Sequence, residues 1–193
     1  MRGRYGYPQV NPFSPTFHAG RLKEVTPGQK PMKIFVSSMG DLFGNWVPNE
    51  WIEAVLEVVR ACPQHTFQFL TKNPVRYRDF EWPENAWLGA TVTNSDQADA
   101  AYEAWRDTYP KSVFFISYEP LLMGLHVDPL VDWVIIGEQT GPGPKPSINA
   151  VFDWTVRLIW DCQERKVPVL VKAPLRDRLP KELQLMQWPK KGR

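Results

Sequence analysis

Short apolar runs recur along the chain at nearly regular intervals, and most are followed by a segment with helical periodicity. Six such runs predict β-strands over residues 33–38, 66–71, 86–92, 113–117, 133–137 and 167–172. The runs are almost continuously apolar, which is typical of strands that are buried on both faces of a parallel sheet. The pattern therefore predicts an α/β protein built on a parallel sheet.

Three segments between these runs carry apolar residues at the i, i+3, i+4 spacing of an amphipathic helix. The first spans residues 48–61, with a proline at its first position. The second follows Asn94 or Ser95 as its N-cap, and a third, longer helix follows Asn149. A further short helix is expected over residues 74–80.

The length of the chain and the absence of two motifs disfavour several α/β folds. The first run is not followed by GxGxxG, and GxxxxGK[ST] occurs nowhere, which disfavours dinucleotide-binding and P-loop folds. A closed eight-stranded barrel usually needs about 250 residues, whereas this chain has 193. We therefore expect a partial, TIM-like parallel βα barrel of about six strands over residues 33–193, preceded by an irregular arm over 1–32. One edge of its sheet should lie open or be covered by that arm.

Composition excludes some classes of protein. The formal net charge of +2 argues against a strongly basic, nucleic-acid-coating protein, and 43% hydrophobic residues indicate a globular chain. A continuous run of eighteen apolar residues is lacking, so a transmembrane helix is not predicted. The N-terminus lacks the apolar region of a secretory signal. The expected location is therefore the cytoplasm.

The two cysteines, Cys62 and Cys162, lie far apart in helix-like contexts. They form neither a disulfide framework nor a zinc motif, and they fit reduced, buried core residues. An iron–sulfur cluster needs three or four thiolates from nearby positions, which this chain does not supply. His65 precedes the second strand, at its amino end, and is expected to be structural.

Polar residues follow every predicted strand. The carboxyl ends of the strands in a parallel βα array meet on one side, and that is where active sites lie. We therefore predict a polar mouth, formed by the residues that end the strands. Its candidate residues are Ser38, Lys72, Thr91, Asn94, Glu119, Gly137, Glu138, Gln139, Gly141 and Lys172.

Several chemistries are open at such a mouth. Glu119 and Glu138 end successive strands, so their carboxylates could approach each other and act as an acid–base pair. Lys72 and Lys172 could bind a phosphate or a carboxylate. The stretch over residues 137–145 could wrap backbone amides around an anion, or it could be a loop stiffened by its prolines.

These segments, in this order and spacing, resemble a largely uncharacterised family of phage and bacterial proteins with a radical S-adenosylmethionine-like barrel. The match spans residues 34–172. Its segments are IFVSSMGDLF (34–43), ACPQHTF (61–67), LTKNP (70–74), WLGATV (87–92), SYEPLL (117–122), DWVIIG (132–137) and TGPG (140–143).

The resemblance implies a cofactor and a reaction. The intact protein would bind S-adenosylmethionine and a [4Fe-4S] cluster, cleave the cofactor by one-electron reduction, and abstract hydrogen from a substrate. The residues that it implies for cofactor binding are Ser38, Thr91, Asn94, Glu119 and the loop 137–143, which contains Gly137, Glu138, Gln139 and Gly141. The candidate catalytic residues are Lys72, Glu119 and Lys172.

The chain departs from the family pattern in two places. Family members open with a strand and a three-cysteine loop, whereas this chain matches only the part of the pattern after that loop. We therefore expect an upstream reading frame to encode the strand and the loop, and we expect the chain by itself to hold no cluster and to be inert in radical chemistry. The family also tends to have Gly-Gly-Glu-Ser-Gly after the fifth strand, where this chain places Gln139 in the glutamate position.

Two other functions compete with this interpretation. One is a cluster-free hydrolase that uses Glu119 and Glu138. The other is a module that binds nucleic acid or a phage component and uses some of the nine tryptophans as stacking platforms. A net charge of +2 disfavours a large phosphate-binding face.

Overall fold

The structure, a computed structural model, describes residues 8–11, 14–108 and 113–190. Six strands within these residues form one sheet: β1 (Lys33–Phe35), β2 (Thr66–Thr71), β3 (Ala86–Thr91), β4 (Phe114–Tyr118), β5 (Trp133–Ile136) and β6 (Val169–Val171). The order of the strands follows the chain and all five ladders are parallel. The sheet curls into a half-barrel flanked by helices, which confirms the predicted partial βα barrel.

Helices connect most of the strands. The described α-helices are α1 (Asn49–Ala61), α2 (Ser95–Thr108), α3 (Ile148–Glu164) and α4 (Leu175–Arg178), and 3₁₀ turns occupy Ala19–Glu24, Pro74–Asp79 and Lys181–Leu183. The predicted cap of α3 was wrong. The Ser147 hydroxyl accepts the Ala150 N–H at 3.2 Å, so the helix begins two residues before the position expected from Asn149.

β1 is shorter than predicted because the chain turns sharply after it. Ser37 has a φ of 55°, in the left-handed region, and its carbonyl accepts the Gly40 N–H at 3.1 Å. This turn ends the extended backbone at Phe35 instead of Ser38. The residues after β1 therefore form a loop that crosses the carboxyl end of the sheet.

The outer face of the sheet packs against the helices and forms the larger core. α1 contributes a fully buried stripe of Ile52, Leu56 and Val59, which contact outward-facing strand residues such as Phe67 and Phe69. Burying one aliphatic side chain of this size stabilises the fold by about 1.5–3 kcal/mol. Cys62 and Cys162 belong to this core and are free thiols, as predicted.

The two edges of the sheet differ. Residues 185–187 cover β6, because the Val171 N–H donates to the Leu185 carbonyl at 2.9 Å and the Gln187 N–H donates to the Val169 carbonyl at 2.8 Å. β1, at the other edge, has no strand beyond it within the described residues. Among the residues that the structure describes, the sheet is therefore covered at its β6 edge and open at its β1 edge.

The amino end of the sheet is held by a buried histidine. His65 is 1% exposed, and its Nδ1 accepts the Met32 N–H at 3.2 Å, which ties the segment before β1 to the segment before β2. This contact agrees with the structural role expected for His65. The described helices include none that combines the length and the apolar character needed to cross a membrane.

Candidate functional site

The carboxyl ends of all six strands lie on the same side of the half-barrel, because every ladder is parallel. The inner face of the curled sheet, which we call the lumen face, carries alternate residues of each strand. Trp87, Phe115 and Trp133 belong to this face, since they form a cluster separate from the outer core. They therefore show which alternate residues of β3, β4 and β5 face the lumen. Counting by two from these residues identifies which predicted site residues face the lumen.

Two aromatic rings and one leucine fill the lumen below the mouth, and we call this layer the aromatic floor. It consists of Leu70, Phe115 and Trp133, and the rings of Phe115 and Trp133 have centroids 5.3 Å apart. Gly89 lies opposite Phe115 in the β3–β4 ladder, and a Cβ built on Gly89 would fall 2.2 Å from the Phe115 ring. Glycine is therefore required at position 89 for the phenyl ring to fill the floor.

A layer of two hydroxyls lies directly above the floor. Thr91 and Ser117 face each other across the β3–β4 ladder, at 7% and 1% exposure. Neither hydroxyl forms a hydrogen bond within the described part of the chain. The two residues are largely buried, but their oxygens are not among the buried side-chain atoms without a partner. The hydroxyls are therefore open to the mouth and are candidates for binding a ligand that supplies hydrogen bonds.

An ion pair between Glu119 and Lys172 lies at the top of the mouth, with Glu119 two residues beyond Ser117. The Lys172 Nζ is 2.8 Å from Oε1 and 2.9 Å from Oε2 of Glu119. Gly137 lies between them on β5, and a Cβ built there would come within 3.0 Å of the Glu119 carboxyl group. The pair is partly solvent-exposed, so its value for stability is at most about 1 kcal/mol.

Glu138 faces away from the mouth. Gly137 faces the lumen, so its neighbour Glu138 points to the opposite side of the sheet, where it forms an ion pair with Arg178, the last residue of α4. Each carboxylate therefore has its own cation, Lys172 for Glu119 and Arg178 for Glu138. The use of the two glutamates as an acid–base pair stays a prediction.

The loop after β5 is held by its own side chain. The Gln139 amide donates to the Pro142 carbonyl at 3.0 Å, and Gly143 takes a φ of 112° that favours glycine. Gly141 is exposed. These contacts fit the alternative of a loop stiffened by its prolines, with Gln139 used to close it.

The opposite side of the mouth is organised by Asp41. Its Oδ1 accepts the Thr71 hydroxyl at 2.7 Å and its Oδ2 accepts the Lys72 N–H at 2.9 Å, which joins the loop after β1 to the end of β2. The Lys72 ammonium has no partner within the described residues, and Ser38 is exposed in the same loop. Asp41 thus holds the backbone of Lys72 in place at this side of the mouth.

Asn94 has a structural use that limits its role at the mouth. Its side-chain oxygen accepts the Gln97 N–H at 2.9 Å and so caps α2. This confirms one of the two predicted caps. The capping bond fixes the orientation of the Asn94 side chain and leaves its two amide N–H donors, with one lone pair of its oxygen, available to a ligand.

The cysteines lie far from these layers and are chemically quiet. Both are buried between the helices and the outer face of the sheet, and burial, followed by the Asp161 charge, raises the pKa of the Cys162 thiol to about 12. Among the described residues, no three His, Cys, Asp or Glu side chains are grouped to hold a metal ion. These residues therefore do not fit an iron–sulfur cluster, which needs clustered thiolates.

Sequence reasoning omitted Ser117 and Asp41 from the candidate residues. Ser117 could have been found by counting two residues from Phe115 to Ser117 and two more to Glu119, since all three share one face of β4. Asp41 carries no comparable signal, because its contacts reach residues thirty positions away.

Comparison with known proteins assigns the chain to a family whose function is unknown. A family model described as "Protein of unknown function (DUF5131)" matches residues 4–174. Neither the curated proteins nor the solved structures contain a match.

Proposed function

The chain belongs to the DUF5131 family, and on that premise we propose that its mouth binds S-adenosylmethionine as the cofactor-binding part of a radical enzyme. When bound, this cofactor supplies a 5′-deoxyadenosyl radical after one-electron reduction. The support comes from the resemblance described above and from the polar groups of the mouth. The role proposed for this chain is to bind and orient the cofactor.

The observation that carries the proposal is the pair of unbonded hydroxyls in the mouth. Thr91 and Ser117 lie side by side over an aromatic floor and form no hydrogen bond within the described residues. A nucleoside offers ribose hydroxyls and ring nitrogens that can pair with such groups. Its base is a flat, partly apolar body that suits an aromatic surface.

The ion pair above the hydroxyls fits the rest of the same molecule. The methionyl portion of the cofactor carries an ammonium and a carboxylate, and Glu119 and Lys172 present the complementary charges. A bound zwitterion would exchange the internal ion pair for two external ones, and the partial exposure of both side chains leaves them free to separate. Lys72 adds an ammonium, unpaired within the described residues, on the opposite side of the mouth for the substrate.

The described residues do not hold the cluster that the resemblance implies. Cys62 and Cys162 lie behind the sheet, and a thiol with a pKa of about 12 stays protonated at neutral pH. No step through a cluster is therefore assigned to this chain. Anaerobic incubation of the protein with iron and sulfide should give no cluster absorbance, and a stable cluster would contradict this part of the proposal.

Calorimetric titration with S-adenosylmethionine tests cofactor binding. Glu119→Gln keeps the shape of the side chain and removes its charge, and it should weaken binding about tenfold. Thr91→Val and Ser117→Ala should each weaken binding by a factor of about two to ten. Glu138→Gln is the matched control, since Glu138 faces the other side of the sheet, and its affinity should stay at the wild-type value.

Competition separates this proposal from its rivals. Adenosine and methionine should each displace the cofactor weakly, because each fills one half of the mouth. Absence of binding by the wild-type protein, or equal losses in Glu119→Gln and Glu138→Gln, would reject the site. Salt-sensitive binding of single-stranded DNA that Thr91→Val does not alter would instead support the nucleic-acid module.

A further inference from the structure

The open edge of the sheet at β1 presents backbone groups that lack partners within the described residues. The Met32 carbonyl accepts the Thr66 N–H at 2.8 Å, and the Val36 N–H donates to the Gln68 carbonyl at 2.9 Å, so both groups point towards β2. The alternation of a parallel ladder turns the N–H and C=O groups of Lys33 and Phe35 the other way. In the part of the chain that the structure describes, no strand lies on that side.

Lys33 does not guard this edge. Natural proteins often protect an exposed edge strand with a lysine whose ammonium extends into solvent beside it. Here the Lys33 Nζ lies 4.3 Å from the ring centroid of Trp188 and 5.5 Å from that of Trp87, inside the lumen. Its charge is therefore withdrawn from the edge, and the apolar Phe35 next to it is 46% exposed.

Gln68 provides a second, independent sign that the β1 edge can accept a further polar group. It lies opposite Phe35 in the β1–β2 ladder, faces the lumen and is 6% exposed. Its amide forms no hydrogen bond within the described residues, and its Nε2 is fully buried. A buried amide without a partner costs about 1–3 kcal/mol, which a polar group arriving from the open side would recover.

The outer side of the same edge holds an apolar cavity of about 860 Å³. The residues that line it include Ile34, Val36, Val55 and Val58, with residues 14–25 of the arm on its far side. An element placed beside β1 would therefore meet apolar surface on its outer face as well as Phe35 on its inner face. Strands buried on both faces are typically apolar along their whole length.

Basic residues predominate in the segment before β1. Between Ala19 and Met32 the chain carries Arg21, Lys23 and Lys30 against Glu24. Arg21, Lys23 and Lys30 are exposed and form no ion pair within the described part of the chain. A partner with acidic residues flanking its apolar stretch would complement them.

We propose that the β1 edge binds an extended polypeptide strand that runs parallel to β1, is apolar except for a polar side chain on its inward face, and is flanked by acidic residues. Its backbone continues the β1–β2 ladder onto Lys33 and Phe35, and one of its inward groups supplies the missing partner of Gln68. This is strand addition to a sheet edge, in which backbone hydrogen bonds give affinity and side-chain pockets give specificity. The proposal does not depend on cofactor binding.

A synthetic peptide of the sequence Asp-Asp-Val-Thr-Val-Ile-Val-Thr is a suitable probe. Its matched control carries N-methyl groups on alternate residues, which remove the donors needed for pairing. Hydrogen exchange at the Lys33 and Phe35 amides should be fast in the free protein and slow about tenfold or more with the peptide, while β4 amides do not change. The N-methylated control should leave all of these rates unaltered.

Two variants sharpen the test by fluorescence anisotropy of the labelled peptide. Phe35→Lys places a charge on the exposed edge and should weaken binding about tenfold or more. Trp160→Lys changes a residue that is 60% exposed on α3, away from this edge, and should leave binding unchanged.

Three results would overturn the proposal. The first is equal binding of the peptide and its N-methylated control. The second is protection of the Lys33 and Phe35 amides in the free monomer. The third is a concentration-dependent dimer that protects the same amides, which would make a second copy of the chain the occupant. Each outcome is read without S-adenosylmethionine, so it stays separate from the test of the mouth.

Discussion

The floor and the mouth of the lumen are built from the same strands at the same parity, yet they are packed in opposite ways. In the floor, Phe115 and Trp133 fill the space with ring contacts, and Gly89 is small because the phenyl ring needs its volume. Two residues further along β3 and β4, Thr91 and Ser117 carry hydroxyls that have no hydrogen-bond partner in the described residues. The contrast shows that one set of strands separates stability, in the floor, from binding capacity, in the mouth.

The largest expected effect is the loss of a floor indole. Trp133 is 2% exposed and stacks between Phe115 and Trp188, with ring centroids 5.3 and 4.7 Å away. Trp133→Ala should lower the free energy of unfolding by about 3–5 kcal/mol, measured by urea denaturation with far-UV circular dichroism. Trp160→Ala, at an exposed site, is the control. A loss below about 1 kcal/mol in Trp133→Ala would remove the floor from the stabilising core.

Gly89 gives the next largest effect. Gly89→Ala places a methyl group 2.2 Å from the Phe115 ring, so the ring must move and the free energy of unfolding should fall by about 1–3 kcal/mol. The double variant Gly89→Ala with Phe115→Leu provides space for the methyl group and should recover part of the loss. An equal or greater loss in the double variant would show that the cost arises from the backbone and not from the ring.

Alkaline pH should destabilise the protein through two buried tyrosines of the outer core, Tyr118 on β4 and Tyr77 in the 3₁₀ turn after β2. Burial raises the pKa values of Tyr118 and Tyr77 well above the usual value of about 10. The folded protein holds these protons where the unfolded chain releases them. The free energy of unfolding should therefore be constant up to about pH 10 and then fall by about 1.4 kcal/mol per pH unit for each phenol.

Tyr118→Phe is the variant that checks this slope. Without the Tyr118 phenol, the free energy of unfolding should fall less steeply above pH 10, by about 1.4 kcal/mol per pH unit. The variant also loses the hydrogen bond from the Tyr118 hydroxyl to the His126 carbonyl at 2.8 Å. Chemical denaturation at pH 9, 10 and 11 measures the slope. The same slope in both proteins would mean that Tyr118 ionises in the folded state as it does in the unfolded chain.

The smallest expected effect on stability belongs to the mouth. Glu119→Gln breaks a partly exposed ion pair with Lys172 and should change the free energy of unfolding by less than about 1 kcal/mol. The same variant should weaken S-adenosylmethionine binding about tenfold. Thermal denaturation beside calorimetry measures both. If Glu119→Gln instead lost much stability and kept its affinity for S-adenosylmethionine, Glu119 would serve stability and not binding.

The fold was largely predictable because its strands are nearly continuous apolar runs in a regular order. The pattern found six strands and their common direction, since both follow from burial on two faces and from the intervening helices. It missed the early end of β1, because the turn depends on the positive φ of Ser37, and a serine in the sequence does not indicate a positive φ. It also missed α4, which has only four residues and too few positions for a periodicity.

The candidate site was predictable in its location and less so in its contacts. The ends of the strands placed Thr91, Glu119 and Lys172 at one mouth, and the structure agrees with that placement. The ion pair between Glu119 and Lys172 joins residues that lie 53 positions apart, which no local pattern can reveal. The outward direction of Glu138 was within reach of a period-of-two count, because its neighbour Gly137 faces the lumen.

The order of the strands has a consequence for how the protein is made. Every ladder joins strands that follow each other in the chain, so each new strand finds its partner already formed when it leaves the ribosome. Contacts between neighbouring units carry a small loop-closure cost, which favours folding one βα unit at a time. The segment over residues 185–187 returns to β6 last. Synthesis from the amino end can therefore assemble this half-barrel in the direction of translation, and the last hydrogen bonds cover its final edge.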